Sequence, residues 1–63
     1  MNNKIQEMRS ALEMSQEELA KVSGVSRTVI SQLESGTRKT ITSATMLRLS
    51  KALKRPVEDI FLF

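Results

Sequence analysis

The sequence has no cysteine, histidine, tryptophan or tyrosine. Without cysteine, disulfide bonds and thiolate zinc sites are excluded, which is compatible with a reducing cytosol. Without histidine or cysteine, the usual pairs of nucleophile and base in hydrolases and redox enzymes cannot be assembled. We therefore expect no catalytic residue, no metal site and no cofactor, and an enzyme is the least expected class.

Long apolar runs are also missing. No run approaches the roughly 20 residues of a membrane span, and the polar start Asn2-Asn3-Lys4 lacks a signal-type apolar stretch. We expect a soluble, cytoplasmic protein with no membrane partner. The 63 residues allow a single domain, 1–63, and so small a chain buries only roughly 60% of its unfolded surface. A compact helical bundle or a dimer would supply the missing stability.

Positive charge is concentrated in the middle of the chain. The net charge is +3, and between residues 27 and 55 the only acid is Glu34. The cations of this segment are Arg27, Arg38, Lys39, Arg48, Lys51, Lys54 and Arg55. Such a distribution is expected of a surface that meets phosphates. For Lys51 and Lys54, the alternative is that they complement the dipole at the end of a helix.

Residues 15–36 have the pattern of two short helices joined by a tight turn. Ser15 and Glu18 have the spacing of a capping box, which predicts a helix start. Gly24 allows the positive φ of a sharp helix exit, Ser26 can cap a second helix, and Gly36 can end it. The apolar positions behind these signals are Leu19, Ala20 and Val22, then Val25, Val29 or Ile30, and Leu33. The stretch therefore predicts helix, turn, helix.

A polar stripe remains on the outward face of the second of these helices. Its members are Arg27, Thr28, Ser31, Gln32 and Ser35. Arginine, glutamine and short hydroxyl side chains can hydrogen-bond to base edges, whereas a merely solvated helix face is usually filled with Glu and Lys. We predict base contacts by Arg27, Thr28, Ser31 and Gln32. Arg27 would contact guanine through its bidentate fork, and Gln32 would contact a base edge, with adenine the first choice.

These residues resemble the helix-turn-helix of the Cro/CI/XRE repressor family, the lambda-repressor-like DNA-binding domain. The similarity lies in Ser15-Gln16-Glu17-Glu18-Leu19-Ala20, Gly24-Val25-Ser26-Arg27, Ile30-Ser31, Leu33-Glu34 and Gly36, and extends from about Ile5 to Phe61. It implies a compact all-α domain of five helices, with the helix-turn-helix formed by helices 2 and 3. It also implies a regulator of transcription, which we expect to be a repressor that binds a palindromic operator in double-stranded DNA as a homodimer.

The remaining helices follow from apolar spacing. Ile5, Met8 and Leu12 predict an amphipathic first helix, on which Arg9 would be an exposed arginine. Thr42 or Ser43 would cap a fourth helix. Its apolar positions are Met46, Leu47, Leu49, Ala52 and Leu53, and it would end before Lys54-Arg55-Pro56. Relatives usually have Gly or Asn where Lys54 stands. A short fifth helix would run from Pro56 to Ile60.

Phosphate contacts are expected around the polar stripe. The candidates are Gln16 at the start of helix 2, Ser26 and Ser35 on either side of helix 3, and Thr37, Arg38, Lys39 and Thr40 in the following loop. Most relatives have a proline after the basic pair, whereas this chain has Thr40-Ile41-Thr42 and one extra residue. The path of the loop therefore stays open at this point.

Both phenylalanines lie in the last four residues, Ile60-Phe61-Leu62-Phe63. We predict that residues 57–63 contribute to dimerisation, through Val57, Phe61, Leu62 and Phe63; the alternative is that the last four residues belong to the core. A dimer would read two half-sites about one DNA turn, roughly 34 Å, apart.

Two other functions remain compatible with the sequence. One is an antitoxin or a restriction-modification controller with the same DNA-binding fold, for which the apolar C-terminus could hold a protein partner such as a toxin or an antirepressor. The other is a protein-interaction module without a DNA role, which the polar stripe and the basic loop disfavour.

Overall fold

The computed structural model describes residues 2–62, with the side chains of residues 3–61. Its helices are α1 (Ile5–Ala11), α2 (Gln16–Ser23), α3 (Arg27–Ser35), α4 (Ser43–Leu53) and α5 (Val57–Ile60). Two very short strands, β1 (Asn2–Asn3) and β2 (Phe61–Leu62), pair at the two ends of the chain. The predicted five-helix all-α fold, with α2 and α3 as the helix-turn-helix, is confirmed.

Every helix contributes to one core. The buried apolar side chains are Ile5, Leu19, Val25, Ile30, Leu33, Leu49, Leu53, Ile60 and Phe61. Helix α2 packs against both α3 and α4. Because α3 is held from behind by Ile30 and Leu33, its opposite face is free to carry polar side chains.

Local signals place the helix ends where the sequence predicts them. Ser15 accepts from the amide of Glu18 at 3.1 Å, and the Glu18 carboxylate accepts from the amide of Ser15 at 3.0 Å. Ser26 accepts from the amide of Val29, and Thr42, rather than Ser43, caps α4. The glycines that end α2 and α3 are left-handed, with φ of 73° at Gly24 and 79° at Gly36.

Three positions on the predicted apolar faces are exposed instead. Leu12 is 41% exposed, Val22 is 60% exposed and Leu47 is 54% exposed. In α2 the inward position belongs to Ser23 instead, which is buried with its hydrogen bonds satisfied. Its hydroxyl donates to the carbonyl of Leu19 at 2.6 Å and accepts from the amide of Val25 at 3.1 Å. The serine thus ties the turn to the helix, and the valine is left at the surface.

The end of α4 confirms the unusual position of Lys54. This residue is left-handed, with φ of 58°, a conformation that suits Gly or Asn better than Lys. Glu13, between α1 and α2, has a similar φ of 56°, which the sequence does not signal. Pro56 precedes α5 as its N-cap residue, so the helix begins one residue later than predicted.

The C-terminal segment folds back onto the start of the chain. Phe61 pairs with Asn3 in the antiparallel ladder, and the amide of Lys4 donates to the carbonyl of Ile60 at 2.7 Å. The side chain of Phe61 is only 1% exposed. The predicted interface role of Phe61 is therefore corrected, because a side chain enclosed by its own core has no surface left for a partner. The side chain of Leu62 and all of Phe63 lie outside the described residues.

Candidate nucleic-acid interface

The predicted base-contact residues lie together on one open surface. An open cleft beside α3 is lined by Gln16, Arg27, Thr28, Ser31 and Gln32. Arg27, Thr28 and Ser31 are exposed, and Gln32 is partly buried. We call these five residues the reading face. It combines donors, acceptors and methyl groups, which are the functional groups that interact with base edges in the major groove.

Arg27 is held only weakly in this structure. Its Nη1 lies 3.4 Å from the Glu17 carboxylate, and the two side chains are 61% and 71% exposed. An ion pair this exposed contributes little to stability. The guanidinium can therefore leave Glu17 and turn to another acceptor at small cost.

Gln32 is held firmly by the loop that follows α3. Its backbone carbonyl accepts from the amides of Thr37 at 3.1 Å and Arg38 at 3.2 Å, and from the hydroxyl of Ser35 at 3.2 Å. Its side-chain Oε1 accepts from Nη1 of Arg38 at 3.0 Å. The beginning of the loop, whose path was open from the sequence, thus wraps around the last turn of α3.

Arg9 is not the exposed arginine that the sequence suggested. Its Nε and Nη2 donate to the two carboxylate oxygens of Glu34, both at 3.0 Å, and its Nη1 donates to the carbonyl of Met14 at 2.8 Å. The two side chains are only 13% and 7% exposed. The hydrogen bond to Glu34 raises the pKa of Arg9 above its ordinary value, although burial opposes the shift.

This ion pair also positions a residue of the reading face. Gln16 donates from Nε2 to Glu34 at 3.1 Å, so α1, the start of α2 and the back of α3 meet at one carboxylate. The only sequence signal for this cluster is that Glu34 is the sole acid in the basic segment. Its partner is 25 residues away, a separation that no local pattern identifies.

A second cleft lies between the start of α3 and the start of α4. Its polar lining consists of two arginines and three hydroxyl residues, with no carboxylate among the described residues that line it: Ser26, Arg38, Thr42, Thr45 and Arg48. We call it the basic cleft. Arg48 was not among the predicted contacts, because the sequence showed it only as one of several cations on a helix.

The other phosphate candidates surround these two surfaces. Lys39 and Thr40 are exposed in the loop, and the hydroxyls of Ser35 and Thr37 are 3.0 Å apart. No cluster of side chains in the described part of the chain could hold a metal ion. Within residues 2–62, no helix has the length and apolar character needed to cross a bilayer.

Comparisons with known proteins agree with this geometry. A helix-turn-helix family model matches residues 5–60. The crystal structure of the restriction-modification controller protein C.AhdI from Aeromonas hydrophila is similar, with a TM-score of 0.84 and 33% sequence identity. The similarity covers 92% of this chain and 86% of that chain. A search of curated protein sequences gives no significant match. The family match and the similar crystal structure together show that the chain belongs to the Cro/CI/XRE-type helix-turn-helix family of DNA-binding transcription regulators.

Proposed function

We propose that this protein binds a palindromic operator in B-form DNA as a homodimer and represses transcription from it. The observation that carries the proposal is the reading face on α3, which is flanked by the basic cleft. A major groove about 12 Å wide admits a helix, and a neighbouring cleft rich in arginine and hydroxyl groups suits the phosphates beside it.

In the proposed complex, α3 lies in the major groove. Arg27 leaves Glu17 and contacts guanine with its fork, while Thr28 and Ser31 contact neighbouring base edges. Gln16 keeps its hydrogen bond to Glu34 and donates its second Nε2 proton to a phosphate. The remaining phosphate contacts come from residues beside α3, namely Ser26, Ser35, Thr37, Arg38, Lys39 and Thr40.

The proposed dimer follows from the small size of the site. One helix of nine residues reads only a few base pairs, and a two-fold axis doubles these contacts and places half-sites roughly 34 Å apart. Val57 is partly buried, so part of its side chain remains accessible at the surface. We propose an interface that contains Val57, Leu62 and Phe63, without the side chain of Phe61.

A role as a restriction-modification controller is the second candidate. The similarity to C.AhdI favours it, because 33% identity over 92% of this chain is a match of whole domains. The two candidates share the same DNA-binding surface and differ in the genes that the operator controls.

The test is a selection of bound fragments from genomic DNA at two salt concentrations, followed by mass determination of the complex on the enriched sequence. We expect an inverted repeat bound by two chains, with affinity that falls steeply as salt rises. The gene next to the repeat distinguishes the two candidates.

A matched pair of variants locates the binding surface. Ser31→Glu places a carboxylate on the reading face and should abolish selection. Lys21→Gln changes the net charge by the same one unit at an exposed position that lines neither cleft, and it should leave the selected sequence unchanged. No enriched sequence, binding that ignores salt, or equal effects of the two variants would contradict the proposal.

A further inference from the structure

The side chain of Gln32 is oriented before any DNA is present. Nη1 of Arg38 lies 3.0 Å from its Oε1, and both groups are partly buried. A guanidinium has only donors, so it is the oxygen of the glutamine amide, and not the nitrogen, that faces Arg38. The backbone amide of Arg38 also donates to the backbone carbonyl of Gln32 at 3.2 Å. Arg38 thus contacts both the side chain and the backbone of Gln32.

This orientation restricts which bases suit Gln32. An unrestrained glutamine can pair with adenine by presenting its oxygen to N6 and its nitrogen to N7. In this protein the oxygen is turned to Arg38, so adenine would have to compete for it. The two protons on Nε2 remain available, and they match N7 and O6 of guanine or O4 of thymine. Adenine also has an acceptor at N7, but its N6 amino group would then face a second donor instead of an acceptor.

We propose that Arg38 is a specificity-determining residue that makes Gln32 a donor, so that its base position prefers guanine or thymine over adenine. The inference rests on the proposed DNA-binding function, and it replaces the adenine contact expected from the sequence alone.

Arg38 can keep this role while DNA is bound. Among the described residues it forms no ion pair with a carboxylate. Only Nη1 contacts the side chain of Gln32. The arginine also lines the basic cleft, where a phosphate would lie, so it can meet a counter-charge there without giving up the Gln32 contact. The Nε of Arg38 is buried without a hydrogen-bond partner among the described residues. The remaining donors are the protons on Nη1 and Nη2, and those that Gln32 does not use can serve a phosphate at the same time. The side chain of Arg38 then links a contact with the DNA backbone to the base contact of Gln32.

The test compares the sequences selected from a randomised DNA library by four proteins. The wild type gives the reference pattern, and Gln32→Met identifies the base position that Gln32 reads. Arg38→Met removes the donors but keeps an apolar stem, and Lys39→Met removes the same charge at the next, exposed position. Thermal unfolding of each variant confirms that it is folded.

We expect the wild type to prefer guanine or thymine at the position identified by Gln32→Met. Arg38→Met should lower the discrimination against adenine there by at least about fivefold, the lower end for one good base contact. Lys39→Met should weaken binding to all sequences without changing the pattern.

Three outcomes would overturn the inference. They are a wild-type preference for adenine at that position, an Arg38→Met pattern equal to that of Lys39→Met, or a change at a position other than that of Gln32. If Arg38→Met does not fold, the base that the wild type prefers at the Gln32 position still tests the inference. Guanine or thymine supports it, and adenine overturns it. If the wild type selects no sequence, the proposed function fails first, and this inference fails with it.

Discussion

Lys54 ends α4 in a left-handed conformation with φ of 58°. A side chain with a β-carbon is strained there, at a cost of roughly 1–2 kcal/mol. We expect Lys54→Gly to raise the free energy of unfolding by about 0.5–1 kcal/mol, because relief of strain outweighs the added freedom of the unfolded chain. Denaturant unfolding measures the change. Lys51→Gly, inside the same helix, should lower stability by about 1 kcal/mol. If Lys54→Gly lowers the free energy of unfolding as Lys51→Gly does, Lys54 is not strained.

Among the residues of the reading face, Arg27 should have the clearest effect on operator binding when it is replaced. We expect Arg27→Ala to weaken operator binding by about 1–3 kcal/mol and to relax one base position. Arg27→Lys should not restore the preference, because an ammonium group lacks the bidentate fork. Binding titrations against the operator and its single-base variants measure both effects. If affinity and base preference stay unchanged in Arg27→Ala, the orientation proposed for α3 in the groove is wrong.

At the level of elements, the Arg9–Glu34 pair joins α1 to α3 and reaches Gln16 on α2. This pair is largely shielded from solvent. Breaking a buried pair on one side leaves an uncompensated charge, which costs up to about 3–5 kcal/mol. Because domains have only about 0.05–0.15 kcal/mol of stability per residue, such a loss is large for 63 residues. The net stabilisation from forming the pair is small, but removal of one partner destabilises the protein strongly. For this reason the pair keeps the helices together.

We therefore expect Glu34→Ala to lower the free energy of unfolding by more than about 1 kcal/mol and by up to about 3–5 kcal/mol. The double variant Arg9→Met with Glu34→Leu should lose much less, since apolar residues of similar volume can replace a buried ion pair. Urea unfolding of both proteins makes the comparison. A loss below about 1 kcal/mol in Glu34→Ala, typical of surface pairs, would show that the pair is solvated in solution.

At the level of the whole molecule, the proposed dimer would use residues of the C-terminal segment other than those that stabilise the fold. Phe61 is enclosed by the core, whereas Val57 is only partly buried. We expect Val57→Lys to give a folded monomer, because a charge at the interface disfavours pairing. Phe61→Ala should instead destabilise the fold itself by about 3–5 kcal/mol.

Sedimentation equilibrium together with circular dichroism separates the two effects. Glu58→Lys, at the neighbouring exposed position, is the control and should leave the dimer intact. A Val57→Lys protein that still sediments as a dimer would exclude residue 57 from the interface.

The sequence by itself determined where the helix-turn-helix begins, turns and ends. Each N-cap side chain accepts a hydrogen bond from the amide three residues ahead, at Ser15, Ser26 and Thr42. Gly24 and Gly36 end their helices because glycine readily adopts a positive φ. Such interactions depend only on near neighbours, so a sequence pattern is sufficient to predict them. The five helices and the position of the reading face follow from the same local rules together with apolar spacing.

The side-chain contacts between distant parts of the chain depend on the packing of the whole fold. Arg9 and Glu34 are 25 residues apart, and Phe61 joins the core because its strand pairs with Asn3 at the other end of the chain. The choice of Ser23 over Val22 for the interior and the contact of Arg38 with Gln32 depend on how the turn and the loop are packed. Contacts of this kind are fixed by the joint packing of several elements, and no periodicity within one element records them.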